Sequence, residues 1–376
     1  MNDYDAIVVG AGFAGMYMLK RLREAGLTAR VLEAGTDVGG TWYWNRYPGA
    51  RCDVPSMEYS YSFDDELQQD WEWTEVMAAQ PEILQYAKHV SERFDLRRDI
   101  QFDTRVAEAT FEESDATWTI TTELGEVLRS SFCIMATGCL SASNVPALAG
   151  LDSFEGELVH TGSWPKDGVD LAGRRVGLIG TGSSGVQSIP VIAEQAGQLT
   201  VFQRTPVYTF PANNKPLRAD VQASYKRHYD EVRSRQRVSP GGFSGFNSLK
   251  ADREATPADD GAPKKRPPRP QLLDTTPQER HDAWEQHGFN LFNVYSDIYK
   301  DLDANELACD LYRDHVRTVV SDPDTAEKLT PKDYPVGCKR QVIDTHYYEA
   351  FNRDNVEIVD LKSDPLVEIT TTGVRT

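Results

Sequence analysis

Two stretches of the chain share one pattern of apolar and polar positions. Residues 6–9 and residues 176–179 are short apolar runs rich in β-branched side chains, as in strands buried on both faces of a parallel sheet. Each run passes into a glycine-rich turn and then into apolar positions at helical spacing. A second apolar strand pattern follows each helix, at residues 29–32 and 199–202. The pattern predicts two βαβ units in an α/β chain.

The turn of the first βαβ unit contains Gly10, Gly12 and Gly15 in the spacing G-x-G-x-x-G. Such glycines allow a tight turn, a close approach of the backbone to a pyrophosphate, and close packing of the helix, whose N-terminus supplies N–H donors. Glu33 ends the second strand, where a carboxylate can bind ribose hydroxyls. The segment predicts an adenine dinucleotide site with a free ribose, in preference to a merely glycine-rich turn.

The second βαβ unit repeats the motif with Gly180, Gly182 and Gly185, but its second strand ends in Gln203 and Arg204. A carboxylate at that place would repel a 2′-phosphate, whereas a guanidinium group can bind one through two hydrogen bonds. The sequence therefore predicts an NADPH site, the alternative being that Arg204 is an ordinary surface arginine. Two such sites imply electron transfer, most economically from NADPH to FAD.

The segment between the two motifs alternates apolar and polar residues and returns through the apolar run 132–135 to Gly138. This pattern predicts a small antiparallel excursion followed by a strand of the first domain. Near residue 142 the composition becomes small and proline-bearing. We therefore predict an FAD-binding domain at residues 1–142 and an NADPH-binding domain at residues 143–376.

The second domain is expected to contain a helical insertion at residues 212–330. Residues 220–238 have helical spacing throughout, and a later helix places Leu307, Leu311 and Val319 along one face, with Ala308 and Tyr312 beside them. Many glycine, proline and charged residues between these helices predict a mobile loop at about 239–275.

The net charge and the cysteines of the chain indicate which partners and which cellular compartment suit the protein. The chain has 376 residues, with 40 Lys plus Arg against 58 Asp plus Glu, a net charge of −18, which argues against nucleic acid or an anionic membrane as the main partner. No apolar run is long enough to span a membrane, and the N-terminus enters a strand without a basic leader. Five scattered cysteines predict a reducing, cytoplasmic compartment without a disulfide framework or a metal site.

Two longer stretches match one known enzyme family. The pattern F-x-G-x-x-x-H-x-x-x-W-P is matched by Phe154, Gly156, His160, Trp164 and Pro165. The pattern G-G-x-W-x-x-x-x-Y-P-G-x-x-x-D is matched by Gly39, Gly40, Trp42, Tyr47, Pro48, Gly49 and Asp53. From about residue 4 to its end, the chain resembles the type I Baeyer–Villiger monooxygenases. The resemblance implies an FAD enzyme that uses NADPH and O2 to convert a small-molecule ketone to an ester or lactone through a C4a-peroxyflavin.

The resemblance also implies roles for single residues. The segment "YPVGCKR" places the catalytic arginine of the family at Arg340, and Asp53 matches the aspartate that orients it. Lys339 is expected to contact the 2′-phosphate of NADPH beside Arg204 and Thr205. Arginine suits the catalytic role because it stays protonated and offers several rigid donors to a developing anion.

Several interpretations stay open. Trp42 is assigned with the FAD-binding residues, and its aromatic surface would exclude water from the site, but Trp42 and Trp44 could equally pack the first domain. For His160, a hinge position or a supporting hydrogen bond is favoured over direct catalysis. The alternative functions are an N- or S-oxygenating flavin monooxygenase and an inactive, truncated nucleotide-binding fragment.

The end of the chain repeats the strand and hairpin pattern that precedes residue 120, but without the apolar strand that follows there. Members of the family continue beyond this point with a segment that returns to the FAD domain. We therefore expect a C-terminally truncated or naturally short form whose FAD domain lacks this return segment. Apolar surface is expected to be exposed where that segment docks.

Overall fold

The computed structural model describes residues 3–239, 241–246 and 268–376. The chain forms two compact units, one made of Met1–Pro146 and Val159–Gly168, the other of Ala147–Leu158 and Val169–Thr376. Most of the loop predicted at 239–275 falls on residue 240 and residues 247–267, which lie outside the described residues.

The first unit is built on a sheet with the strand order β3-β2-β1-β6-β5-β4. Its strands are β1 (Tyr4–Val9), β2 (Ala29–Leu32), β3 (Ile100–Gln101), β4 (Val106–Glu112), β5 (Thr117–Thr122) and β6 (Val127–Met135). Its helices are α1 (Phe13–Glu24), α2 (Thr41–Trp44), α3 (Asp65–Asp70) and α4 (Gln80–Arg93). β5 pairs antiparallel with β4 and β6, and β6 runs parallel to β1. The predicted antiparallel excursion and its returning strand are thus confirmed.

Apolar side chains cover both faces of the first sheet. α1 packs Met16 and Leu19 against Ala6 and Val8, because side chains four or three residues apart share one face of the helix. The opposite face of the sheet buries Ile7, Leu32 and Ile120. β6 is covered less completely, since Phe132 and Met135 are 57% and 60% exposed. Apolar surface is therefore exposed on this strand.

The second unit contains a parallel sheet with the strand order β11-β8-β7. The strands of this unit are β7 (Arg175–Ile179), β8 (Gln198–Gln203), β9 (Thr209–Pro211), β10 (Val342–Asp344), β11 (Val356–Asp360), β12 (Glu368–Thr370) and β13 (Gly373–Arg375). β9 pairs with β10, and β12 with β13, in two further sheets. Its helices are α5 (Ser183–Gln195), α6 (Ala219–Arg227), α7 (Tyr229–Val238), α8 (Pro277–His287), α9 (Leu291–Val294), α10 (Leu302–Val319), α11 (Pro323–Leu329) and α12 (Tyr347–Ala350). The order β7–α5–β8 repeats β1–α1–β2, so both predicted βαβ units are present. The predicted terminal hairpin is formed by β12 and β13.

The helical insertion differs from the prediction in two details. The fully buried stripe of α10 is Ala304, Ala308, Tyr312 and Val316, whereas the predicted leucines lie half-buried at the edges of the stripe. Small alanines lie at its centre because this helix packs closely against its neighbours.

The helical segment predicted at 220–238 is present, but it is divided at His228 into α6 and α7. The backbone of His228 leaves helical geometry, and its Nδ1 lies 2.8 Å from the carbonyl oxygen of Ser224. This contact satisfies one of the carbonyls that a helix end leaves unpaired. None of the described helices combines the length and the apolar character that crossing a bilayer requires.

Two leucines of the insertion form a matched test of its core. Leu291 is 0% exposed and Leu302 is 73% exposed. We expect Leu291→Ala to lower the free energy of unfolding by about 2–5 kcal/mol because it leaves a cavity. Leu302→Ala should change it by less than about 0.5 kcal/mol. Urea unfolding followed by near-UV circular dichroism measures both, and equal effects would contradict the described packing.

Candidate active site and dinucleotide-binding motifs

The first glycine motif forms a tight turn between β1 and α1. Gly10 has a φ of +102°, which favours glycine, and a side chain on Gly15 would overlap the carbonyl oxygen of Gly10. Gly12 begins α1 without a side-chain cap, so the N–H groups of the first helical turn remain available to an anionic ligand. The turn therefore has the shape and the donors that a bound pyrophosphate requires.

Glu33 lies at the end of β2 and is 4% exposed. One carboxylate oxygen accepts a hydrogen bond from the N–H of Ala11 at 2.6 Å, and the other accepts one from the N–H of Gly35 at 2.7 Å. The carboxylate thus joins the glycine turn to the turn after β2. The sequence predicted a ribose contact for Glu33, but it did not indicate this structural role.

The second glycine motif repeats this geometry between β7 and α5. Gly180 has a φ of +101°, and a side chain on Gly185 would overlap the carbonyl oxygen of Gly180. Gly182 begins α5 without a side-chain cap, and a methyl group placed on it would meet no atom of the described residues within 4 Å. The open space beside Gly182 fits the approach of a second dinucleotide.

The two motifs differ at the end of the second strand. Gln203 stands 23 positions after Gly180, as Glu33 stands after Gly10. Gln203 is 1% exposed, and its Nε2 donates to the carbonyl oxygen of Lys328 at 2.7 Å. A neutral amide therefore replaces the carboxylate at the position where a negative charge would oppose a 2′-phosphate.

The residues predicted to contact the 2′-phosphate come from two segments of the second unit. Arg204 is exposed and Thr205 is half-buried in the turn after β8. The hydroxyl of Thr181, between the motif glycines, donates to the carbonyl oxygen of Thr205 at 3.2 Å and ties this turn to the glycine motif. Lys339 is exposed in the loop before β10, with its Nζ 4.2 Å from the ring centre of Tyr334.

The loop that carries Lys339 and Arg340 is anchored by the helical insertion. The buried amide of Asn305 in α10 binds both the carbonyl and the N–H of Val336, each at 3.0 Å. Nε2 of Gln341 donates to the hydroxyl of Tyr299 at 2.7 Å. Arg340 is exposed between these anchors. The sequence showed no signal for either anchor, because both join residues far apart in the chain.

The aromatic residues that follow Gly40 are largely packed in the first unit. Trp42 is 8% exposed, its indole N–H donates to the hydroxyl of Tyr59 at 3.1 Å, and Nε2 of Gln80 donates to its carbonyl oxygen. Trp44 is half-buried, with its ring perpendicular to that of Tyr43. These contacts support the packing role of both tryptophans, while contact between Trp42 and a flavin stays a prediction.

Lys166 links the two signature stretches within the first unit. Its Nζ donates to the hydroxyl of Thr36 at 2.7 Å and lies 5.3 Å from the ring centre of Tyr43. Burial alone would raise the pKa of Tyr43, but hydrogen bonds from Thr36 and the charge of Lys166 hold that pKa below its usual value. A cavity of about 250 Å³ lies here, lined in part by Arg46, Trp164 and Lys166. No motif pointed to Lys166, although it follows the Trp164-Pro165 pair directly.

The other signature residues are divided between the units. Phe154 and Gly156 belong to the second unit, whereas His160, Trp164 and Pro165 belong to the first. Nδ1 of His160 accepts a hydrogen bond from the N–H of Gly162 at 3.1 Å. This local contact supports the structural interpretation of His160 over a catalytic one.

The predicted catalytic pair is also divided. Asp53 is half-buried in the first unit, next to Cys52, whose N–H donates to the carbonyl oxygen of Ala78 at 3.0 Å. Arg340 lies in the second unit. The pairing of Asp53 with Arg340 stays a prediction.

Known proteins are similar to this chain across both glycine motifs. Residues 7–239 match the family model described as pyridine nucleotide-disulphide oxidoreductase. A Baeyer–Villiger monooxygenase of Pseudooceanicola batsensis is 42% identical over 99% of this chain and 66% of its own length. A steroid monooxygenase structure bound to NADP is 48% identical, with a TM-score of 0.87, over 100% of this chain and 68% of its own. The chain belongs to the Baeyer–Villiger monooxygenase family.

Two further proteins are similar to this chain over nearly all of its length. The structure of OTEMO in complex with FAD and NADP is 38% identical, with a TM-score of 0.88, over 99% of this chain and 68% of its own. Phenazine N-monooxygenase PhzNO1 of Lysobacter antibioticus is 39% identical over 100% of this chain and 66% of its own length. The chain thus spans about two thirds of the length of these relatives. The predicted fold of two dinucleotide-binding domains is confirmed.

The described part of the chain contains neither a disulfide bond nor a cluster of side chains suited to a metal ion. Among the described residues, the five cysteines at positions 52, 133, 139, 309 and 338 form no disulfide bond. Within residues 3–239, 241–246 and 268–376, no group of three or more His, Cys, Asp or Glu side chains is arranged to hold a metal ion.

The clamp formed by Glu33 yields a prediction about stability. In Glu33→Gln the new amide NH2 group faces one of the two backbone N–H donors, so one buried hydrogen bond is lost. We expect the free energy of unfolding to fall by about 1–3 kcal/mol. Glu113→Gln, in the exposed turn between β4 and β5, is the control. Equal urea midpoints for the two variants would contradict the clamp.

Proposed function

We propose that this chain carries the FAD and NADPH sites of a monooxygenase that converts a small-molecule ketone to an ester or lactone. One oxygen atom of O2 enters next to the carbonyl carbon, and the other leaves as water as NADPH is oxidised to NADP. The observation that carries the proposal is the repeated glycine turn with a single chemical difference, a carboxylate at Glu33 and an amide at Gln203. Membership of the Baeyer–Villiger family supports the same division of cofactors.

FAD is assigned to the first unit. Gly10, Gly12 and Gly15 form the turn for its pyrophosphate, and Glu33 lies where ribose hydroxyls would be bound. Trp42 is assigned to the wall of this site. The named complex of OTEMO with FAD and NADP supports this assignment.

NADPH is assigned to the second unit. Gly180, Gly182 and Gly185 form the turn for its pyrophosphate. Its 2′-phosphate is assigned to Arg204, Thr205 and Lys339, because two cations and a hydroxyl suit a doubly charged group better than a ribose hydroxyl. The neutral side chain of Gln203 supports this preference.

Arg340 is assigned as the catalytic cation and Asp53 as the residue that orients it. When bound, FAD supplies the chemistry that activates oxygen, and NADPH supplies the hydride. Arg340 would stabilise the negative charge that develops on the ketone oxygen without losing its own proton. Such a contact in a site that excludes water is worth about 3 kcal/mol in the transition state. Trp42 and its aromatic neighbours would help to exclude that water.

The surroundings and partners of the protein are proposed with the same function. The partners are a ketone and O2, and the negative charge of −18 argues against nucleic acid. Five cysteines that form no disulfide in the described part of the chain support a reducing compartment, for which we propose the cytoplasm.

The first test is the visible spectrum of the purified protein incubated with FAD and then given NADPH without oxygen. We expect a flavin spectrum that bleaches with NADPH, and bleaches much more weakly with NADH. The absence of bound flavin would contradict the proposed FAD site. Equal reduction by NADPH and NADH would contradict the assignment of the 2′-phosphate.

The catalytic assignment predicts a selective loss in Arg340→Ala. We expect ester formation from a cyclic ketone to fall by about a hundredfold or more, because the stabilising charge is removed. Reduction of the flavin by NADPH should continue, because neither the glycine motif nor Gln203 is altered. Arg353→Ala removes another exposed arginine of the second unit and is the control. Unchanged ester formation in Arg340→Ala would refute the role.

A second candidate function is N-oxygenation of an aromatic heterocycle. It is favoured by one observation, the 39% identity to a phenazine N-monooxygenase over the whole chain. The same protein is therefore assayed with a cyclic ketone and with a phenazine. An N-oxide without ester would favour this alternative.

A further inference from the structure

Two tyrosines join the segments that carry the proposed 2′-phosphate contacts. The hydroxyl of Tyr208 donates to the carbonyl oxygen of Tyr334 at 3.2 Å. The hydroxyl of Tyr334 donates to the carbonyl oxygen of Pro206 at 2.7 Å. The two rings meet edge to face with their centres 5.3 Å apart. Each segment therefore holds the other through a side chain and a backbone carbonyl.

This reciprocal pair lies next to the proposed phosphate ligands on both sides. Pro206 directly follows Arg204 and Thr205, and Tyr334 lies in the loop before β10, five positions before Lys339. A single phosphate can contact ligands from both segments only if their separation is maintained. Among the described residues, the crossed hydrogen bonds of Tyr208 and Tyr334 are placed to maintain it.

Tyr334 also contacts one of the ligands directly. The Nζ of Lys339 lies 4.2 Å from the centre of the Tyr334 ring. No carboxylate in the described part of the chain lies within 4 Å of this ammonium group. The ring therefore attracts the ammonium by its electron-rich face without neutralising its charge. Such a lysine is held in place and still free to bind an anion.

We propose that Tyr334 is the positioning residue that sets the preference for a 2′-phosphorylated nucleotide. Its hydroxyl holds the turn of Arg204 and Thr205, and its ring holds the ammonium of Lys339. The inference rests on the proposed function of these three residues. It assigns to the helix-anchored loop a part in cofactor selection that none of the motifs indicates.

The protonation of both tyrosines suits this role. Burial raises the pKa of Tyr334 to about 12 and also raises the pKa of Tyr208. Both hydroxyls therefore stay protonated and able to donate through the whole range in which the protein is assayed. The link between the segments is accordingly expected not to vary between pH 6 and pH 9.

The test uses two fragments of the cofactor that differ only in the 2′-phosphate. Dissociation constants of 2′,5′-ADP and of 5′-AMP are measured by isothermal titration calorimetry for the wild-type protein and its variants. Tyr334→Leu removes ring and hydroxyl, Tyr334→Phe keeps the ring, and Tyr295→Phe alters a buried tyrosine outside both segments. Lys339→Ala reports the direct contact.

We expect Tyr334→Leu to lower the preference for 2′,5′-ADP over 5′-AMP by about fivefold, the scale of one lost cation–π contact. Tyr334→Phe should give a smaller loss and Tyr295→Phe none. The 5′-AMP constant should change little, since its phosphate is assigned to the glycine motif. A fivefold loss of the preference for 2′,5′-ADP, with an unchanged dissociation constant for 5′-AMP, would support a role of Tyr334 in cofactor selection.

Three results would overturn the inference. An unchanged ratio in Tyr334→Leu together with a reduced ratio in Lys339→Ala would show that Lys339 needs no positioning. An equal loss of affinity for both nucleotides would show a merely structural role for Tyr334. If the wild-type protein binds both nucleotides equally, the proposed function of the site itself fails, and the inference with it.

Discussion

Both nucleotide-binding motifs depend on one close approach of backbone to backbone. In each unit the third glycine lies so near the carbonyl oxygen of the first that no side chain fits between them. This contact brings the helix N-terminus to the end of the first strand, where its N–H groups are left without partners. Because the geometry is the same at Gly15 and Gly185, the units differ mainly in the side chains around the turn. Their chemistry can therefore diverge while the backbone is retained.

The divergence is concentrated at the end of the second strand. Glu33 accepts hydrogen bonds from backbone N–H groups through both carboxylate oxygens, which joins two turns of the first unit. Gln203 occupies the corresponding place with an amide that is directed to a carbonyl of Lys328. This replacement of a carboxylate by an amide is the basis of the proposed preference of the second site for a 2′-phosphate. One difference in side chain between two similar scaffolds thus underlies the proposed division of the two cofactors.

The helical insertion supports the second site from outside the βαβ unit. Asn305 of the insertion binds the backbone of Val336. Outside the insertion, Tyr208 and Tyr334 each bind the segment that carries the other. These polar contacts are buried or half-buried, where unpaired groups would be costly, so they define one arrangement of the loop before β10. The loop that carries Lys339 is anchored by these contacts. The insertion therefore packs into the core and also anchors the loop of a proposed phosphate ligand.

Local sequence by itself determined the two βαβ units, the antiparallel excursion and the candidate ligands, because glycine spacing and apolar periodicity act between residues close in the chain. Apolar periodicity gave no signal for the division at His228, where a side-chain contact lies between two helices. Only the tertiary structure decided the second role of Glu33, the place of Lys166 and the pairing of Tyr208 with Tyr334. Each of these depends on hydrogen bonds between residues distant in sequence, and no periodic pattern encodes such a partner. The sequence thus identifies the groups that can bind a ligand, whereas tertiary packing determines which of these groups come into contact.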